Sequence, residues 1–383
     1  MKKINVAINA SRARSGGAIS HINGILKNFN INEFNIKELH VWGYSSLINN
    51  IESSEIVTHS HKFLDKSLPF QIYWELFMFK DELIKNKIDI LLNLDAGTLC
   101  SFTPSITMSR DMLSYEPGEM ERFKWGFQRL RLLLIKYSQN RSLRNSYASI
   151  FLTKYASEVI QKSTGKIKNF TYIPHGVSNN FRRKINHSIF AKDKNSEYNC
   201  LYVSNLSLYK HQWNVIEAVK SLRDEGLNVK LTLTCGAATD KLSEELLAKS
   251  LEENCKNDNF VKITGYINQN EIPNLMSNCD IFIFASSCEN MPNTLIEGMS
   301  FGLPIACSNR GPMPEVLKDG GLYFDPENVN SISKSIKKII LDKELRKNIT
   351  LKSNKLSMNF SWEKCSNQTF NYITEIYKKY IND

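Results

Sequence analysis

The sequence predicts an α/β protein made of two doubly wound domains, and three observations carry that prediction. Strand-like and helix-like runs alternate almost throughout the 383 residues, the pattern of parallel sheets joined by helical crossovers. That length is more than one hydrophobic core comfortably serves and suits two domains of ordinary size. A polar, basic, weakly periodic stretch, 177–198, follows Pro174-His175-Gly176 and is the best candidate for a linker between them.

Apolar runs of strand length fall at 4–8, 38–44, 88–94, 105–108, 148–153 and 170–173 in the first half. In the second half they fall at 200–203, 229–234, 261–264, 281–284 and 304–307. Helical periodicity fills gaps such as 212–225, 240–253 and 329–343, and the last segment, 362–380, is amphipathic. The opening Met-Lys-Lys-Ile-Asn-Val-Ala-Ile-Asn-Ala superficially resembles a signal peptide. Its apolar part is short and interrupted by Asn5 and Asn9, so it reads as a first strand.

Composition narrows the class. Apolar content of 42% and charged content of 23% are those of a globular protein, and no run is long enough to span a bilayer. Eight scattered cysteines without a C-x-x-C pair indicate neither a zinc site nor a disulfide framework, so a cytoplasmic setting is expected. A net charge of +10 favours acidic partners such as nucleotide phosphates, anionic lipid or nucleic acid. It is equally the charge of a plain basic protein.

The most informative stretch is Glu289-Asn-Met-Pro-Asn-Thr-Leu-Ile-Glu297, followed by Gly-Met-Ser-Phe-Gly-Leu-Pro304. Upstream lies an apolar strand; downstream, Asn293 or Thr294 can cap a helix that Gly302 and Pro304 can end. Glu289 therefore occupies a loop at the carboxyl end of a buried strand, where parallel sheets bind ligands. Glu297 lies about one turn into the next helix, whose start offers unpaired N–H groups to a phosphate. Two carboxylates beside an anion site disfavour a bare phosphate. They suit a hydroxyl-rich ligand that also carries one, and a nucleotide sugar fits that description.

These residues resemble the retaining, two-domain (GT-B) glycosyltransferases of family 4. Glu289 and Glu297 match that family's E-x7-E, and Gly298–Pro304 match its continuation. Cys200-Leu-Tyr-Val-Ser-Asn-Leu-Ser-Leu-Tyr-Lys210 is similar to the strand and loop that deliver a phosphate-binding lysine. Tyr172-Ile-Pro-His-Gly-Val177, Gly311-Pro-Met-Pro-Glu315 and Gly320-Gly-Leu-Tyr-Phe-Asp325 resemble flanking blocks. The resemblance spans most of 199–325 and is far looser in the first domain.

It implies two Rossmann-like domains facing across a cleft. Residues 1–180 would hold the acceptor and 181–360 the nucleotide sugar, with 361–383 a helix returning to the first domain. Glu297 would bind the ribose hydroxyls and Glu289 the sugar hydroxyls, with Asn290, Met291, Pro292, Asn293, Thr294 and Leu295 supplying backbone to sugar and phosphate. Lys210 would meet the leaving pyrophosphate. The arginine usually found about five positions earlier is absent: Asn205, preceded by Ser204, stands there, and Asn brings no charge. His211, Arg310 or another cation is left to compensate.

In the first domain Gly16-Gly17, after strand one, matches a phosphate-facing glycine loop, or is only a tight turn. Arg110 and Asp111 stand where the family has its His-Asp pair, and are either active-site groups or a structural pair. His175 is a donor-side candidate or a hinge residue. No D-x-D triplet occurs, which fits a metal-independent transferase without a cofactor.

Phe123, Phe127, Leu130, Leu134 and Tyr137 form a helical stripe among Arg122, Lys124, Arg129, Arg131 and Lys136. That composition suits a helix lying on an anionic membrane, or a packed helix with a basic outer face. Nothing accompanies it that signals a nucleic-acid partner.

The expected activity is hexosyl transfer from a nucleotide diphosphate sugar to a growing, lipid-linked bacterial surface glycan such as O-antigen, at the inner face of the cytoplasmic membrane. A nucleotide-sugar epimerase and a catalytically silent glycan-binding subunit are the alternatives.

Overall fold

A computed structural model describes residues 3–14, 16–256 and 258–383. The chain divides into two compact units, 1–176 with 360–383 and 177–359. In the first, seven strands form one parallel sheet: β1 (Ile4–Asn9), β2 (Ile36–Trp42), β3 (Ile56–His59), β4 (Ile90–Asn93), β5 (Ser105–Ser109), β6 (Ala148–Phe151) and β7 (Phe170–Tyr172). Their order is β3-β2-β1-β4-β5-β6-β7. In the second, six strands do the same: β8 (Tyr198–Ser204), β9 (Val229–Cys235), β10 (Val261–Ile263), β11 (Ile281–Phe284), β12 (Ile305–Ser308) and β13 (Leu322–Phe324), in the order β10-β9-β8-β11-β12-β13.

Each order reverses once, between β1 and β4 and between β8 and β11. At such a switch point the loops leave the strand ends in opposite directions and open a crevice for a ligand. Central strands such as β4, β6 and β11 are buried along their whole length, as the continuous apolar runs require.

Two strands had no apolar run to announce them. β3 is an edge strand that buries only Ile56 of its four residues, and β13 is a three-residue edge after Gly320-Gly321. An edge strand with one wet face needs no continuous hydrophobic sequence.

The segment expected to link the domains is not a free tether. The boundary lies between Gly176 and Val177, and Val177, Phe181 and Ile189 are buried. A Cβ on Gly302 would come within 2.8 Å of Ile185, so the helix end at Gly302 packs against this segment. Its few apolar residues lack periodicity because they anchor an irregular path rather than a helix or strand.

In the first unit the C-terminal helix Trp362–Tyr380 packs against the helix Gly16–Lys27. Trp362 fits where Gly24 and Gly176 have no side chains: a Cβ at either would lie 2.3 or 2.1 Å from it. Ser366 donates to the Ile25 carbonyl at 2.8 Å. The buried indoles of Trp42 and Trp74 both donate to Glu82, at 2.8 Å each, which satisfies two core N–H groups with one carboxylate.

Candidate functional site

The second unit's switch point gathers the chemistry. The loop after β8 closes with a turn at Leu208–Lys210, and the loop after β11 carries Glu289. Lys210 and Glu289, 79 positions apart, form a direct ion pair between Nζ and Oε1. Both side chains are largely buried, at 12% and 16% exposure. Burial opposes the Lys210 ammonium, but the Glu289 carboxylate, Tyr209 and Tyr202 together outweigh it and hold the lysine pKa above its usual value. The ammonium also lies 5.1 Å from the Tyr209 ring centroid and 5.6 Å from that of Phe284.

Several bonds fix these loops. Tyr202 donates to the Lys210 carbonyl at 2.9 Å, and the Ser287 N–H to the Tyr209 carbonyl at 2.8 Å. His211 Nε2 meets Ser287 Oγ at 2.9 Å. His211 has φ +51°, in the left-handed region that non-glycine residues seldom occupy, so the junction before the helix Gln212–Asp224 is a strained corner.

The helix Asn293–Phe301 follows Glu289. Its N-cap is Pro292, without a side-chain cap bond, so Asn293 and Thr294 are not the caps the sequence suggested. Thr294 instead donates to the Val203 carbonyl at 3.3 Å and ties the helix to β8. Gly298 permits close packing, since a Cβ there would meet Phe282 at 2.8 Å. Gly302, at φ +80°, ends the helix in the left-handed conformation, as the sequence implied.

Glu297 points inward from this helix. It is buried, and Gln269 donates to its Oε1 at 2.8 Å. Its Oε2 has no hydrogen-bond partner among the described residues. Burial pushes its carboxyl up to about 7, with the Gln269 bond acting the other way. A buried carboxylate with an open lone-pair face is a strong acceptor awaiting a donor.

Asn290, Met291, Pro292 and Leu295 are buried around the loop, and Asn293 and Thr294 are partly exposed. Asn205 is exposed, and a Cβ at Gly236 would approach its Oδ1 to 2.8 Å. Neither nearby cation stands free in place of the missing arginine: Arg310 pairs with Asp325 at 3.1 Å, and His211 is held by Ser287.

The first unit holds its own candidates. Gly16 starts the helix Gly16–Lys27 with φ +42°, and a Cβ there would meet nothing within 4 Å. Glycine is thus favoured at 16 by backbone conformation rather than by space; Gly17 follows within the same helix. Arg110 does not bridge to its neighbour: its guanidinium lies 3.7 Å from Asp95, in the loop after β4. Asp111 accepts from the Leu113 N–H at 3.1 Å and from Gln139 at 3.3 Å, and its burial raises its pKa.

His175 stacks on His21 at 4.7 Å and faces Trp362 at 5.7 Å. Burial, then the neighbouring His175 and Arg110, hold His21 far below its usual pKa. Nearby in the chain, Arg12 pairs with the buried Glu75 at 2.9 Å.

Sequence reasoning missed Gln269, Ser287, His21, Asp95 and Glu75. Asp95 had a usable signal, an acid directly after a buried strand. Gln269 had none, because it reaches Glu297 from a polar loop 28 positions away.

Residues 184–355 match the family described as Glycosyl transferases group 1. The chain is 33% identical over 121 residues to O-antigen chain mannosyltransferase B of Escherichia coli, a match covering 32% of each chain. It is 25% identical over 256 residues to the N-acetylgalactosamine-N,N'-diacetylbacillosaminyl-diphospho-undecaprenol 4-alpha-N-acetylgalactosaminyltransferase of Campylobacter jejuni, over 62% of this chain and 66% of that one. These matches thus span from about a third to just under two thirds of the relatives' lengths.

Among solved structures, a sucrose-phosphate synthase from Thermosynechococcus elongatus superposes with a TM-score of 0.77 at 14% identity, covering 98% of this chain and all of that one. Anabaena Alr3699/HepE in complex with UDP and glucose gives 0.72 at 18%, over 97% of this chain and all of that one. At such identities the likeness carries the fold, and the fold is GT-B.

Proposed function

We propose that this protein is a retaining, metal-independent glycosyltransferase. It moves a hexosyl group from a nucleotide diphosphate sugar to a hydroxyl of a growing, lipid-linked surface glycan such as O-antigen. The observation that carries this reading is the trio at the β8/β11 switch point: Lys210 paired with Glu289, and a buried Glu297 with one oxygen unpartnered among the described residues. The family match over 184–355 and the names of the relatives support the same reading.

Each group has a role its chemistry suits. Glu297 accepts bonds from the two ribose hydroxyls; a charged acceptor makes each worth roughly 1.5–3 kcal/mol. Its pKa of about 7 means that the ionised, better-accepting form is gained as pH rises through neutrality. Lys210 stabilises charge on the departing pyrophosphate, the main electrostatic task of the step. Before the donor arrives, Glu289 keeps that ammonium charged and in place. When the donor binds, the diphosphate shares the lysine and Glu289 turns to sugar hydroxyls.

In the transfer itself the bond from the anomeric carbon to the phosphate oxygen breaks, and its electron pair leaves with the nucleotide diphosphate. The acceptor oxygen bonds the same carbon on the same face, and its proton passes to the phosphate. No protein nucleophile and no metal take part. Gly16, Gly17, Arg110, Asp111 and His175 are the first unit's candidates for contacts with donor phosphate and acceptor.

The test is a thermal-shift and calorimetric screen of uridine, guanosine and adenosine diphosphates and their sugar conjugates, with Glu297→Ala alongside. The expected result is stabilisation by one base series, lost in the variant. Failure of every nucleotide to bind would overturn the reading and favour a silent subunit, a possibility raised by Asn205 standing where arginine is usual. Sugar isomerisation without acceptor would mark an epimerase.

A further inference from the structure

The helix Phe127–Asn145 is apolar on two opposite sides. Leu132, Gln139 and Leu143 are buried on one side, where the helix packs near β5 and the helix Lys154–Thr164. Phe127, Leu130, Leu134 and Tyr137 recur at three- and four-residue steps and make a second stripe, about half a turn away. That stripe faces water: Phe127 is 83% exposed and Tyr137 71%, with Trp125 just before the helix at 78%. A core explains the first stripe and leaves the second without a purpose.

Another crossover of the same sheet shares the feature. The helices Leu68–Phe77 and Phe79–Lys85 expose Phe70, Tyr73, Phe77 and Ile84. They connect β3 to β4, and the helix Phe127–Asn145 connects β5 to β6, so both crossovers step the same way across the sheet. Right-handed crossovers stepping the same way lie on the same face.

The charge around the exposed stripe identifies its occupant. From Arg122 to Arg144 the chain has seven cations and no acid. Lys124, Arg131, Arg141 and Arg144 are exposed. Positive charge with no acid to balance it favours an anionic surface. Here long cationic side chains border a ridge rich in aromatics, the arrangement that lets stems lie in acyl chains while heads reach lipid phosphates.

We propose that this face of the first unit docks on an anionic lipid bilayer, with Trp125, Phe127, Leu130, Leu134 and Tyr137 entering the interface and the arginines holding headgroups. The inference does not rest on the glycosyltransferase reading.

The test is sedimentation of the whole protein with vesicles of phosphatidylcholine alone or mixed equally with phosphatidylglycerol. Binding to the mixed vesicles alone, weakened by salt, is expected. Arg131→Gln with Arg141→Gln should lower partitioning on the order of 30-fold, and Phe127→Ser with Leu134→Ser on the order of 100-fold. Both pairs are exposed, so melting temperature should hold. Leu242→Ser with Leu351→Ser, in the second unit, should bind as the parent does.

Binding equal on both vesicle types, or insensitive to both first-unit pairs, overturns the proposal. So does loss of binding in the second-unit control. A concentration-dependent dimer that Phe127→Ser breaks, without vesicle binding, would reassign the face to a second copy. A retained thermal shift with nucleotide in the variants keeps this outcome separate from that of the donor site.

Discussion

The loops after β8 and β11 in the second unit bring a lysine and a glutamate together at the switch point, beside a helix that buries a third charged group. The loops after β4 and β5 in the first unit bring Asp95 to Arg110 at the looser distance of 3.7 Å, near stacked histidines. The outer surfaces differ as well. Exposed large apolar side chains are scattered in the second unit and concentrated on the helical crossovers of the first. One order of strands thus carries two different arrangements of charge and apolar surface. A unit that grips a ligand of fixed chemistry needs a fixed set of charges at fixed spacing. In the first unit, ion pairs such as Arg12–Glu75 and the indole bonds to Glu82 lie within the fold, and the surface is where the apolar side chains gather.

The largest expected break in this comparison is Lys210→Ala. Removing the one charged donor in the pair should lower kcat/KM about 100- to 1,000-fold, and should also lower the melting temperature because the buried Glu289 carboxylate loses its partner; a loss under ten-fold in steady-state transfer, measured below the unfolding transition, would sink its role.

Glu297→Gln separates binding from stability. Nucleotide affinity should fall about 10- to 100-fold by calorimetry, two charge-assisted bonds being weakened. Stability should move the other way. The folded-state pKa of about 7 lies above the unfolded value, so the wild type loses stability as pH rises from the ordinary carboxyl range through 7. At pH 8 the Gln variant, spared that desolvated charge, should be more stable by on the order of 1–3 kcal/mol. A lower melting temperature than wild type at that pH would contradict this account.

Gly24→Ala probes the first unit. Its new methyl would lie 2.3 Å from Trp362 and should destabilise by about 1–3 kcal/mol. Below the unfolding transition, nucleotide affinity in the second unit should stay within two-fold or so of wild type. The smallest effect is expected of Asn205→Ala: no charge is lost, so turnover should drop less than about three-fold. A larger drop would mean that the amide has taken over the arginine's work.

Most of this fold was legible because buried parallel strands must be continuous apolar runs, and 281–284, 148–153 and 88–94 were read that way. β3 and β13 escaped because edge strands need not be. The acidic pair was legible because its spacing across a strand–helix junction is a local matter, and so was the helix stop at Gly302. The cap at Pro292 was not, since Thr294 is drawn to the Val203 carbonyl by packing that no local rule contains.

By itself the sequence determined the two alternating α/β halves, the junction from Glu289 to Glu297, and the basic, aromatic-rich stretch near residue 130. These follow from periodicity and short-range backbone chemistry. Only the tertiary structure decided that Lys210 meets Glu289, that Gln269 supports Glu297, and that the stripe from Phe127 to Tyr137 faces outward. Each is a contact, or the lack of one, between segments far apart in the chain. Such pairings are set by strand order and packing, which one-dimensional spacing does not encode.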